Sequence, residues 1–62
     1  MDYDGIKASF RTVRRLIARD DLEAADALVK HVLSNGGTVA DMHANLTKED
    51  VSALRDFSRE GK

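Results

Sequence analysis

Between residues 3 and 17 the apolar positions Tyr3, Ile6, Phe10, Val13, Leu16 and Ile17 recur at intervals of mostly three or four. At about 100° per residue this spacing gathers them on one side of a helix. Lys7, Arg11, Arg14, Arg15 and Arg19 fill the opposite side. Carried forward on the same wheel, Leu22, Ala25, Leu28, Val29, Val32 and Leu33 form a second stripe. Its centre is rotated from the first by roughly 120° about the axis. One continuous helix would turn its two apolar halves to different sides, which a small core cannot use. The chain must break near residues 18–21.

Local chemistry supports the break. Asp20 is expected as the N-cap of a second helix, its carboxylate accepting a first-turn backbone N–H, with Glu23 at the capping-box position. Arg19 falls in the last turn of the first helix, where a cation suits the exposed carbonyls. The predicted helices are 4–19 and 21–35, the second stopped by Gly36 or Gly37 in a left-handed conformation. Beyond the glycines, Thr38 with Asp41 resembles a capping box, and Val39, Met42 and Leu46 keep a loose helical spacing, so 39–44 is a short helix or helical turn. The last helix, 48–60, has the clearest start. Thr47 is its N-cap, Asp50 stands at the box position, and Leu46 and Val51 form the hydrophobic-staple pair. Val51, Leu54 and Phe57 line one side and Gly61 can end it. No segment alternates with period two. The expected fold is all-α: residues 1–62 as a single helical domain, a small bundle of three main helices with the short 39–44 segment between the second and third. Phe10, Val13, Leu28, Val32, Leu54 and Phe57 are the expected core, and Leu28→Ala is expected to cost about 2–5 kcal/mol if that site is buried.

Length sharpens the picture. A core in a chain of 62 residues supplies only about 3–5 kcal/mol, and small proteins commonly add a disulfide, a metal or a partner. There is no cysteine, which excludes disulfides and thiolate metal sites, and His31 and His43 are too few imidazoles for a structural zinc site. Self-association is the remaining staple. Ala24, Ala25 and Ala27 thin the second helix, and Leu22, Ala25, Val29 and Val32 follow an a/d rhythm, so this helix is the expected seam of a homodimer as well as the packing face for helix 1. The opening "MDYDGIKASF" carries early acids and no apolar run, unlike a signal peptide, and no stretch nears the ~18 apolar residues of a membrane span. A cytoplasmic protein without membrane association is expected.

Net charge is −1, but its distribution is polar along the chain. Residues 1–19 hold five bases against two acids, and residues 20–62 hold five bases against nine acids. The basic side of helix 1 (Lys7, Arg11, Arg14 and Arg15) is therefore the candidate partner-binding surface, able to meet phosphates or an acidic protein. The competing reading is a solvated face partly neutralised by Asp20, Asp21, Glu23 and Asp26.

A second constellation, "ADALVKHVLSNGGTVADMHANL", has the helix, glycine turn and helix of a helix-turn-helix in order. Its would-be reading helix carries Asp41 and no Lys or Arg before Lys48, leaving His43 and Asn45 to reach base edges. The overlapping stretch "VLSNGGTVADMHANLTKEDVSAL", under half of the chain, resembles small antitoxin-like helix-turn-helix domains, in which a Gly-bounded helix precedes an "LTxEDV" helix start. The intervening helix is about a turn short here, and the resemblance assigns no residue a role. His31 falls opposite the Leu28/Val32 stripe and is expected at the surface; Asp41 and His43 alone do not make a metal site. Ser9, Ser34, Ser52 and Ser58 lack a nucleophile elbow, and no glycine-rich phosphate loop is present. No catalytic residue, cofactor or metal is expected. The leading expectation is a non-enzymatic helical interaction module of the regulator, adaptor or inhibitor type, homodimeric and binding a partner protein. The alternative is a small helix-turn-helix DNA-binding regulator.

Overall fold

A computed structural model describes residues 2–60, which form four helices: α1 (Tyr3–Ala18), α2 (Leu22–Ser34), α3 (Val39–Asn45) and α4 (Lys48–Glu60). No strand occurs among the described residues. The fold is all-α, the 39–44 segment is a true helix, and each predicted boundary falls within one or two residues of the observed one. The expected stop at Gly61 lies outside the described residues.

The break between α1 and α2 is real, but Asp20 is not the cap. Asp20 has φ 61° and is the left-handed residue that closes α1. Its N–H donates to the Ile17 carbonyl at 2.9 Å, and the Asp21 N–H donates to the Leu16 carbonyl at 2.8 Å, the paired closure of a Schellman motif. Asp21 caps α2 instead, its carboxylate accepting the Ala24 N–H at a long 3.4 Å. Glu23 then sits one residue short of the box position and contributes only charge to the first turn. An aspartate in the left-handed region is strained where glycine is not, by up to about 1–2 kcal/mol before the entropy of glycine is discounted. Asp20→Gly is accordingly expected to raise stability by up to about 1 kcal/mol, read as a higher urea midpoint; a lower midpoint would show that the aspartate side chain itself holds the turn.

The same closure ends α2, with glycine in the strained place. Gly36 has φ 103°, and the Gly37 N–H donates to the Val32 carbonyl at 2.9 Å. Gly37 is needed for a different reason: a Cβ there would stand 2.5 Å from a Val32 methyl and 2.9 Å from the Val32 carbonyl oxygen. Past this turn, Thr38 and Asp41 form a reciprocal capping box with both bonds at 3.1 Å. Thr47 and Asp50 form another, again with both bonds at 3.1 Å. Each box satisfies two otherwise orphaned N–H groups and starts a helix where the sequence predicts one.

The apolar stripes close on one another within one chain. Ile6, Phe10 and Val13 of α1 meet Ala25, Val29 and Val32 of α2, and Leu46 and Leu54 complete the buried cluster. α1 packs most extensively on α2, α4 lies chiefly against α2, and α3 leans on α1. The radius of gyration, 10.6 Å, matches the roughly 10–11 Å of a folded chain this long. Two expected core residues, Leu28 and Phe57, are only half-buried. Ala25, Val29 and Val32 are the buried positions of α2, leaving Leu28 on the flank of its stripe. Leu28→Ala therefore removes a partly wet side chain, and its cost falls below the range for full burial. The same geometry uses up the expected dimer seam: of Leu22, Ala25, Val29 and Val32, the last three are buried inside their own chain.

Candidate interaction surface

Helical spacing carries Lys7, Arg11, Arg14 and Arg15 to one side of α1, and all four are exposed. Two of them are held by neighbours. The Lys7 ammonium stands 5.4 Å from the centre of the Tyr3 ring, a cation–π contact one turn away on the same helix. The Arg14 Nε lies 3.3 Å from Asp50 Oδ2, the carboxylate that also accepts the Thr47 N–H in the α4 capping box. Arg11 and Arg15 make no ion pair among the described residues.

The four bases form one continuous surface. Lys7, Arg11 and Arg14 line a cleft of about 140 Å³ with Asn45 at the end of α3. Arg11, Arg14 and Arg15 line a larger groove of about 390 Å³ over Ile17 and Ala18, closed on one side by Asp50. Arg11 and Arg14 belong to both. The surface thus offers three guanidinium forks and an ammonium around a small apolar floor. Such forks match carboxylate and phosphate oxygens two at a time.

Among the described residues, none of the acids around the start of α2 forms an ion pair with the basic face. Asp26 pairs with Lys30 at 2.8 Å on its own helix, and Asp20, Asp21 and Glu23 are exposed without an ion pair among the described residues. The acid that meets the basic face is Asp50, from α4. Its box position is legible in the sequence; its reach to Arg14 depends on where α4 lies against α1. Asn45 is likewise a product of packing that no sequence pattern marks, whereas the Ile17–Ala18 floor belongs to α1 itself.

The helix-turn-helix order is present as α2, residues 35–38 and α3, but α3 has only seven residues. Its exposed positions are Val39, Ala40, His43 and Ala44. The Asn45 amide donates to the Asp41 carbonyl at 2.8 Å, which turns one of the two candidate base-reading side chains back onto its own helix. His31 is exposed, and its carbonyl accepts from the Asn35 amide at 2.7 Å, part of the α2 end. Among the described residues, no group of three or more His, Cys, Asp or Glu is placed to hold a metal ion, and no helix is long and apolar enough to cross a membrane.

No family model matches the chain, and neither a curated protein nor a solved structure is significantly similar to it.

Proposed function

We propose that this protein is a small, non-enzymatic interaction module of the cytoplasm whose α1 face takes an acidic segment of a partner protein. The observation that carries the reading is the state of Arg11 and Arg15: exposed, without an ion pair among the described residues, and set at the edge of a groove floored by Ile17 and Ala18. A carboxylate-bearing segment with one apolar side chain would satisfy both the forks and the floor. Duplex DNA would use the forks alone. The short α3 and the net charge of −1 speak further against a free-standing DNA reader, which usually carries a strongly basic balance and a reading helix with Arg, Lys, Asn or Gln. Homodimerisation belongs to the proposal on the ground of chain size and would have to use a surface other than the buried α2 seam.

The test is sedimentation and anisotropy with two probes, a Glu-rich peptide carrying a single leucine and a mixed-sequence duplex, each at low and moderate salt. The peptide is expected to bind, more weakly as salt rises. Arg11→Glu with Arg15→Glu should leave the melt within about 0.5 kcal/mol of wild type, as exposed charges generally do, and weaken the peptide at least tenfold. Peptide binding that survives the double reversal removes the α1 face from the reading. Tight duplex binding lost on the same reversal would replace the acidic protein by nucleic acid.

A further inference from the structure

A second surface lies on the other side of the α3–α4 elbow. Leu46 and Val51 floor a groove of about 470 Å³, and Val29, Val39, Met42 and Leu54 floor an adjoining one of about 320 Å³. His43, Val51 and Arg55 line both, so the two form one trough running along α3. From Val39 to Leu46 the trough follows the whole of that helix, about 10 Å at the rise of an α-helix. Val39 is 55% exposed, one of only two large apolar side chains among the described residues left so open. The described residues leave more than half of its surface uncovered.

The rim of this trough has a sign. On the α4 wheel Lys48, Ser52, Arg55 and Arg59 stand at i, i+4, i+7 and i+11, a stripe bordering Val51. Glu49, Asp56 and Glu60 form a separate stripe on the side away from the trough. None of Lys48, Arg55 and Arg59 makes an ion pair among the described residues. On the α2 wall the one acid, Asp26, is held by Lys30 at 2.8 Å. The trough therefore combines an apolar floor with a cationic α4 edge.

We infer that this trough is a docking site for an amphipathic helix of a partner protein, with apolar residues seated on the floor and acids along the flank that lies against α4. Charge complementarity selects the acidic flank. The floor's length suits apolar anchors about two turns apart, the i and i+7 spacing of helix-in-groove recognition. Met42 at the centre gives the floor an adaptable side chain. The site is independent of the α1 face, and a chain using both would bridge two partner segments.

A fluorescein-labelled peptide of about four helical turns, with leucines at i, i+3 and i+7 and glutamates on one flank, is the probe for anisotropy. It should bind saturably and lose affinity with added salt. A twin with lysines on that flank should bind at least tenfold more weakly. Val39→Asp and Arg55→Glu alter exposed positions, and each should weaken the glutamate peptide at least tenfold with an unchanged far-UV melt. Arg11→Glu with Arg15→Glu removes only the docking of acidic segments on α1, so the binding that Val39→Asp weakens should persist in that double variant. Equal binding of the lysine twin, retention by both trough variants, or loss on the α1 reversal would overturn the inference. So would sedimentation of the wild type as a dimer that Val39→Asp converts to a monomer, because a second copy would then fill the trough.

Discussion

Phe10→Ala is expected to leave the chain largely unfolded in water at room temperature. Phe10 is 0% exposed and is the bulkiest of the fully buried side chains, with Val13 and Val32 beside it in the same cluster. Removing its ring loses the transfer energy of the aromatic surface and leaves a void that three short helices and α3 can collapse only in part, a loss of about 3–5 kcal/mol. A chain of this size holds about that much stability in total. Far-UV circular dichroism without denaturant should show the helical signal mostly gone, while Leu28→Ala, made on the flank of the core, keeps a sigmoidal urea transition displaced by about 1–2 kcal/mol. A Phe10→Ala chain that keeps more than half the wild-type stability would mean that the stripe of α1 is not the centre of the core.

The architecture was legible because its signals are local. The jump in apolar phase between Ile17 and Leu22 requires a break, and two Thr–Asp pairs spaced three apart mark helix starts that the structure places at Thr38 and Thr47. The error at Asp20 has an equally local cause. Asp20 and Asp21 are chemically identical, and which one turns left-handed is decided by how α1 closes on Leu16 and Ile17 rather than by the residue type. Small residues leave a related ambiguity: Ala25 on a thin face suits a close neighbour, and sequence does not say whether that neighbour is another copy or the chain's own α1. The basic stripe could be read from periodicity alone. Its Asn45 wall and its acidic neighbour Asp50 could not, because they join residues more than thirty positions apart through the packing of α1 with α3 and α4. The trough beside α4 belongs to the same class, since Val39 and Met42 look like core residues of a short helix until the packing leaves Val39 uncovered.

Asp50 offers the sharpest separation of fold from surface, because one carboxylate serves both. It accepts the Thr47 N–H at 3.1 Å in the capping box and stands 3.3 Å from Arg14. Its side chain is 15% exposed and that of Arg14 56%, so the ion pair is screened on one side and is worth no more than a fraction of a kcal/mol. Asp50→Ala removes the box acceptor, the charge at the α4 N-terminus and the pair together, and should cost about 1–2 kcal/mol in a urea melt. Asp50→Asn keeps an oxygen for the Thr47 N–H and loses only the charge, so its cost should stay below about 1 kcal/mol. The effect on the α1 face runs the other way. With the carboxylate gone, Arg14 joins Arg11 and Arg15 as an unpaired fork and the groove over Ile17 loses its one negative wall. The Glu-rich peptide should then bind Asp50→Asn a few-fold more tightly than wild type, a gain of about 0.5–1 kcal/mol that added salt diminishes. A variant less stable yet a better binder would assign Asp50 to the fold and Arg14 to the surface. Weaker binding by Asp50→Asn would instead mean that Asp50 holds Arg14 in its binding position, or that acidic segments do not dock on α1.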